Sequence, residues 1–413
     1  MENEVEHGTY RYRWVVLVAF MFVAALTQLM WLNYAPILSR TQELMGFADE
    51  FPIVVLMLMF PLVYIPVSIK AGFVIDRKGF RYAVMIGAVL TASFSFLRLF
   101  VDNYALVLIG MIGISVGQPF VLNSITKMVS TWFPSDESAI ANGLATLSLF
   151  VGMIVAQAVT QPLLEAFGDD LGALRMVVLV YSLAAVAGML FFAFFGKARP
   201  PKPPLRTEKE ALGEDVAINM KSLRSLFGLH NFRILCVIIL IGNGAFVALM
   251  QLIEDVLAPK GISSETAGYI GAAMVVAGVI GCLVIPFISD KLMWRKPFLL
   301  LAGCVAAPTL FLLGALDNTV LILIVGGILG FFLLSAFPIL LAFAEETTGA
   351  QLTGIATSML LLLGNAGGVV LTLAMEGIKA ATGGNNYFWG LVFLAALFVA
   401  VFFVAMRIEE EHG

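Results

Sequence analysis

In the stretch AALTQLMWLNYAPIL (24–38), Thr27, Trp31 and Tyr34 stand at i, i+4 and i+7, so on a helix they share one face. Aromatic rings with a hydroxyl beside them can hold an organic cation over their faces, or an amphipathic ring against them. Trp31 and Tyr34 also suit the aromatic belt at a membrane interface. The cavity reading is taken for Trp31, and both readings stay open for Tyr34. A second polar group is Ser115, Gly117, Gln118, Pro119 and Asn123. Pro119 cannot donate a backbone hydrogen bond, which frees a carbonyl one turn back, and Gln118 projects an amide beside that break. A third stretch, GNGAFVALMQLIEDVL (242–257), spreads Asn243, Phe246 and Gln251 along a helix that Gly242 and Gly244 allow to bend. Glu254 and Asp255, at its end, read as solvated rim residues. Thr357 and Asn365 complete the candidate substrate-binding set of Thr27, Trp31, Tyr34, Gln118, Asn123, Asn243, Phe246, Gln251, Thr357 and Asn365.

The chain that must position these groups has 413 residues, 60% of them hydrophobic and 13% charged. Soluble domains carry about 25% charged residues, so this is an integral membrane protein. A span needs about 20 apolar residues, which leaves room for twelve helices. They are expected near 14–37, 52–73, 82–100, 105–129, 139–164, 171–196, 231–257, 266–289, 297–316, 319–343, 350–377 and 387–406. The first run is longer than a signal-peptide core and lacks a small-residue cleavage site, so it is expected to remain as a span. One long hydrophilic segment, Lys197 to His230, separates two six-helix halves, 1–196 and 231–413. Within it, Val216 to Phe227 has the spacing of an amphipathic surface helix.

Most lysines and arginines, including Arg11, Arg13, Arg77, Lys78, Arg81, Lys127 and the central segment, fall in alternate loops on one side. Only Arg40, Arg98, Arg175, Lys260 and Lys379 fall on the other. The basic side is cytoplasmic by the positive-inside rule, so both termini and the linker are expected in the cytoplasm of a cell-membrane protein. Cys236, Cys282 and Cys304 all lie in apolar runs, which argues against a disulfide framework or a zinc site. No charged residue or histidine falls clearly at mid-membrane, where proton-coupled carriers usually keep a titratable group, and this favours uniport. No arrangement of His, Asp, Ser or Cys within the spans suggests an enzyme.

Between the second and third spans the chain reads GFVIDRKGFR, from Gly72 to Arg81, a charged hairpin in which Gly79 permits the tight turn. Its spacing, G-x3-D-R-x-G-x-R, resembles the loop 2-3 signature of the major facilitator superfamily of secondary transporters. The halves also echo one another, as a duplicated transporter should. DKLMWRK (290–296) takes the place in the second half that Asp76 to Arg81 takes in the first, and Gly143-Leu-Ala-Thr146 recurs as Gly354-Ile-Ala-Thr357. The resemblance implies an all-α membrane protein with twelve transmembrane helices in two pseudo-symmetric six-helix bundles. The charged loops are expected to supply a cytoplasmic gate from Asp76, Arg77, Arg81, Lys127, Asp290, Arg295, Glu345 and Glu346, in which Asp76 with Arg77 or Arg81 ties to the start of the eleventh helix, or to Glu345 or Glu346.

Trp31 with Tyr34, GQPFVLNSITKMVSTWFP (117–134) and Asn142-Gly-Leu-Ala-Thr146 with Gly152 are similar to a narrower group. This is the feline leukaemia virus subgroup C receptor-related group, whose members are choline, ethanolamine and haem-associated transporters. That resemblance implies Trp31 as the cavity tryptophan and Gln118 as the cavity glutamine. The second half departs from the group. It reads Gly244-Ala-Phe246-Val247 where a cation-facing tyrosine would stand, and Leu360 to Leu363 where a glutamine would fall. No axial histidine or cysteine is available for haem. The expected function is therefore facilitated, alternating-access transport of a small amine such as choline, or of an uncharged amphiphile, through a site lined by helices one, four, seven and eleven. A proton-coupled organic anion or drug carrier and a non-transporting membrane receptor remain as alternatives. The expected partners are the small-molecule solute and the lipid bilayer, with no cofactor, no nucleic acid and a monomeric state.

Overall fold

The computed structural model describes residues 10–202, 204, 220–292, 294–349, 352–383 and 386–409. Among them every regular element is helical. Hydrocarbon offers the backbone no hydrogen-bond partners, so apolar runs of this length close their bonds internally as helices. Among the described residues, twelve helices are long and apolar enough to cross a bilayer. In chain order, spans one to six are Tyr12–Met45, Phe51–Lys78, Phe80–Leu99, Tyr104–Trp132, Ser135–Phe167 and Leu171–Phe195. Spans seven to twelve are His230–Lys260, Ser264–Leu292, Lys296–Ala315, Thr319–Thr348, Thr353–Ala381 and Phe388–Ala405. The all-α, twelve-span architecture expected from the sequence is borne out. Large apolar side chains stand outward, with Phe194 76%, Phe287 70% and Leu283 68% exposed. Such exposure is costly in water and suits a lipid-facing surface.

Helix ends follow from local chemistry. Asp170 caps span six by accepting from the Ala173 amide at 2.6 Å, and Asn318 caps span ten by accepting from the Val320 and Leu321 amides. Gly79 separates spans two and three at φ +82°, a conformation that admits the turn expected in GFVIDRKGFR. Span four is two helices, Tyr104–Leu122 and Ser124–Trp132, that meet at Asn123. Pro119 has no N–H to close the ladder just before this break.

The chain divides into two compact units. The first holds Met1–Tyr34 and Arg40–Ala211, and the second holds Ala35–Ser39 and Leu212–Gly413. In the first, Phe20 and Val16 of span one, Phe80 and Val84 of span three, Phe133 before span five and Phe192 of span six form one apolar core. In the second, Phe232, Leu235 and Ile239 of span seven pack with Leu340 and Phe343 of span ten and Leu360 of span eleven. The described part of the linker helix runs Met220–Gly228, within the expected stretch from Val216 to Phe227 and one residue beyond it; positions 216–219 lie outside the described residues. Leu226 is fully buried, and Phe227 meets Phe232 edge-on at 5.8 Å, so this helix docks onto span seven.

Candidate functional site

In the first unit, proline chemistry positions the central tryptophan. Pro61 in span two has no N–H, which leaves the Met57 carbonyl without its helical partner. The Trp31 indole N–H fills that position, donating to the Met57 carbonyl at 3.1 Å. The Trp31 ring lies against Phe60 with centroids 4.8 Å apart, and Phe60 lies 5.8 Å from Tyr64. The Tyr64 hydroxyl then donates to Asn123 Oδ1 at 2.6 Å, while Asn123 Nδ2 donates to Ser68 Oγ at 2.8 Å. Trp31 and Asn123 are therefore joined by an aromatic track along span two, and Asn123 fastens the break in span four.

Amides link spans one and four directly. Gln118 Nε2 donates to the Thr27 carbonyl at 2.7 Å, and Gln28 Nε2 donates to Gln118 Oε1 at 3.4 Å. The Thr27 hydroxyl turns back to the Ala24 carbonyl at 2.6 Å. Thr27, Gln28, Trp31 and Gln118 are all buried. Tyr34 has a cation on its ring face, supplied by the protein: the Arg98 guanidinium lies 4.7 Å from the ring centroid. Its Nε also donates to the Tyr34 hydroxyl at 3.4 Å.

In the second unit, Asn243, Phe246 and Gln251 lie along span seven, and Thr357 and Asn365 along span eleven. Gly364 has no Cβ and so leaves room for the Asn243 amide against span eleven. Gln251 Oε1 accepts from the Thr372 hydroxyl at 3.3 Å, and both residues are fully buried. Asn365 Nδ2 returns to the Leu361 carbonyl of its own helix at 2.9 Å. Thr357 and Asn243 are half-buried.

The ends of these helices correct the rim reading of Glu254 and Asp255, which are only 2% and 5% exposed. Lys379 Nζ pairs with Asp255 Oδ2 at 2.6 Å and lies 4.6 Å from the Tyr387 ring centroid. The Tyr387 hydroxyl donates to Glu376. Burial, and then the Asp255 and Glu376 carboxylates, push the Tyr387 phenol above its ordinary pKa, so it stays protonated and keeps that donor role. Glu254 accepts from the Ser39 amide at 3.0 Å, the Ser39 hydroxyl at 2.8 Å and the Ser264 hydroxyl at 2.9 Å. These three donors satisfy the Glu254 oxygens, which an apolar helix end would otherwise leave without partners.

The loop charges sort by unit. Arg81 donates to the Gly196 and Ala193 carbonyls at the end of span six, while Asp76 and Arg77 are exposed and Lys127 is half-buried. Arg13 forks onto Glu137, Nε to Oε2 at 2.8 Å and Nη2 to Oε1 at 2.7 Å, which locks the start of span one to span five. In the second unit, Arg295 donates to Glu346 Oε1 from Nε at 3.0 Å and from Nη2 at 2.9 Å, and it also pairs with Asp290. Burial lowers the Arg295 pKa, but the two carboxylates outweigh it and hold the guanidinium above its ordinary value. Glu345 is exposed.

Sequence reasoning missed Arg98, Glu254, Asp255, Lys379 and Tyr64 as interior groups. Arg98 and Lys379 sorted with the loops because each lies near the end of an apolar run, yet they are 1% and 9% exposed. A usable signal was present for one pair: Asp255 and Lys379 stand near the same ends of spans seven and eleven, the two spans already expected to share the second half of the site.

Comparison with known proteins accords with this geometry. The Major Facilitator Superfamily profile matches residues 12–372. An uncharacterized MFS-type transporter, C09D4.1 of Caenorhabditis elegans, is 30% identical over 392 residues, which is 91% of this chain and 66% of the relative. The chain thus spans just under two thirds of that relative's length. The choline/ethanolamine transporter FLVCR2 of Homo sapiens is 25% identical over 97% of this chain and 79% of its own length. This relative bears out the resemblance to the feline leukaemia virus subgroup C receptor-related group. Among solved structures, a bacterial homolog of the human lysosomal transporter Spinster matches with a TM-score of 0.77 at 14% identity, covering 97% of this chain and 98% of that one. The transporter FucP matches with a TM-score of 0.65 at 16% identity, covering 96% of this chain and 100% of that one. Twelve apolar helices, two compact units and a profile that runs from the first span into the eleventh lead to one assignment: this chain belongs to the Major Facilitator Superfamily, as a multi-pass membrane transporter and not an enzyme.

Proposed function

We propose that this transporter moves a small organic solute bearing an amine, of the choline or ethanolamine type, or an uncharged amphiphile, across the cell membrane by facilitated uniport. The observation that carries this reading is the Trp31–Phe60–Tyr64 track, two adjacent ring pairs with centroids 4.8 and 5.8 Å apart, set beside the buried Gln28–Gln118 amides. Ring faces attract ammonium groups, and amides supply neutral hydrogen bonds that do not demand a titratable partner. The two halves, 1–196 and 231–413, exchange access to the solute, with the loop charges Asp76, Arg77, Arg81, Lys127, Asp290, Arg295, Glu345 and Glu346 as the gate. The termini and the linker 197–230 face the cytoplasm, and the protein works as a monomer. Names of relatives that act on choline and ethanolamine support the amine class.

One observation favours the second reading, a proton-coupled carrier. Glu254, Asp255 and Glu376 lie within spans seven and eleven, where a carboxylate could take up a proton as the solute moves. A thermal-unfolding panel on the purified protein separates the ligand classes. Choline, ethanolamine, other amines, vitamins and small carboxylates are each added at saturating concentration. The amine reading expects an amine to stabilise by about 2.7 kcal/mol at 100 times its dissociation constant. Stabilisation by carboxylates alone, strengthening as pH falls, would replace the amine reading with the proton-coupled one.

A further inference from the structure

Arg98, at the end of span three, is 1% exposed and has only neutral partners among the described residues. Its Nη2 donates to Asn33 Oδ1 at 2.8 Å, its Nη1 to Met30 Sδ at 3.4 Å, and its Nε to the Tyr34 hydroxyl at 3.4 Å. An amide oxygen, a thioether and a phenol satisfy donors without cancelling the charge. Buried charges are ordinarily paired, because an isolated ion in a low-dielectric interior forfeits its hydration. A guanidinium has five N–H bonds, and these three contacts leave others without an acceptor. Asn33 sharpens the imbalance. Its side chain is fully buried, its oxygen is taken by Arg98, and its Nδ2 has no partner. The amide cannot flip to relieve this, since flipping would set its NH2 against the guanidinium, which has no acceptor to offer. The cluster is also built to admit the arginine: a Cβ at Gly110 would lie 2.8 Å from Arg98 Cγ and 2.9 Å from the Phe94 carbonyl, so the glycine makes room for the stem.

We propose that Arg98, Asn33 Nδ2 and the Tyr34 hydroxyl form a site in the first unit for a small monovalent anion of the carboxylate type. All three offer N–H or O–H donors, and the one full charge among them is positive. The anion is either free in solution or the carboxylate of a solute that also bears an amine. The second source rests on the amine reading above; the first does not.

The test is thermal unfolding of the purified full-length protein titrated with sodium acetate. Wild type should show a saturable rise in melting temperature. Arg98→Gln should retain only the non-saturating salt effect, and Arg98→Lys should saturate at roughly tenfold or higher acetate concentration, because an ammonium lacks the planar fork. Asn33→Asp decides the matter even if Arg98→Gln fails to fold. It places a carboxylate beside the guanidinium, so it should raise the basal melting temperature and abolish the acetate response. An Asn33→Asp protein that melts lower than wild type, or that keeps the acetate response, overturns the proposal, as does equal saturation in Arg98→Gln. Betaine, an amine with its own carboxylate, distinguishes the sources. A solute-borne carboxylate makes its shift exceed that of choline and acetate added together, whereas a free-anion site leaves those two shifts additive and betaine no better. The anion site stands in either case. Loss of every choline effect with the acetate response intact would count against the amine reading alone.

Discussion

Lys379→Met alone should destabilise the protein by about 3–5 kcal/mol, the range found when one partner of a buried ion pair is removed. The Lys379 and Asp255 side chains are only 11% and 7% exposed, so neither charge can turn to bulk water without moving a helix. The loss is compounded by Glu376, which shares Tyr387 with this pair: without the ammonium, two carboxylates face one phenol. The double variant Asp255→Asn/Lys379→Met should recover much of the loss, because no uncompensated charge from the pair remains. A double-mutant cycle read by unfolding in detergent checks this. Coupling of 1 kcal/mol or more is of the size expected for contacting charges. Single losses that simply add would mean that the pair is not a unit.

Gly367→Ala should also be strongly destabilising, by about 3 kcal/mol or more. A Cβ there would lie 1.9 Å from the Leu240 carbonyl oxygen, and a backbone atom in a packed helix cannot swing aside as a side-chain tip can. Overpacking costs about 1–3 kcal/mol even where neighbours can adjust, so this change sits at or above that range. Spans eight and ten repeat the device reciprocally. A Cβ on Gly281 would meet the Phe331 carbonyl, and one on Gly330 the Met274 carbonyl, both at 2.1 Å. Gly354→Ala, on the same span as Gly367 but with nothing within 4 Å, is the matched control and should be neutral or mildly stabilising. The yield of monodisperse protein and its melting temperature give the readout. Comparable behaviour of Gly367→Ala and Gly354→Ala would show that the close approach of spans seven and eleven does not limit stability.

What could be read in advance depended on whether the information was local. Span positions follow from run length, and the break near Pro119 follows from a missing N–H, so both were legible. Gly79 was legible as a turn because a charged hairpin left few residues to make it. The helix over Met220–Gly228 was legible from its spacing. Pairings between distant residues were not legible. Asp255 and Lys379 are 124 positions apart, and each alone reads as a charge at the end of a span. Arg98 reads the same way until the structure sets Asn33 and Tyr34 against it. The candidate aromatics were found by helical spacing, but the Phe60 and Tyr64 that extend Trp31 lie on another helix. The Met57 carbonyl that orients its indole became a partner only through Pro61. Gate residues were proposed from charge alone. Arg295 with Glu346 and Asp290 forms an ion cluster within the second unit, while Arg81 spends its donors on the backbone of span six.

The most direct measurement is uptake of radiolabelled choline and ethanolamine into proteoliposomes holding wild type or Trp31→Ala, with and without a pH gradient. Saturable wild-type uptake that persists after the gradient is collapsed, and that falls roughly 30-fold in Trp31→Ala as about 2 kcal/mol of desolvated cation–π attraction is lost, is the expected result. Equal uptake by wild type and Trp31→Ala, or no uptake above protein-free vesicles for either amine, would contradict it.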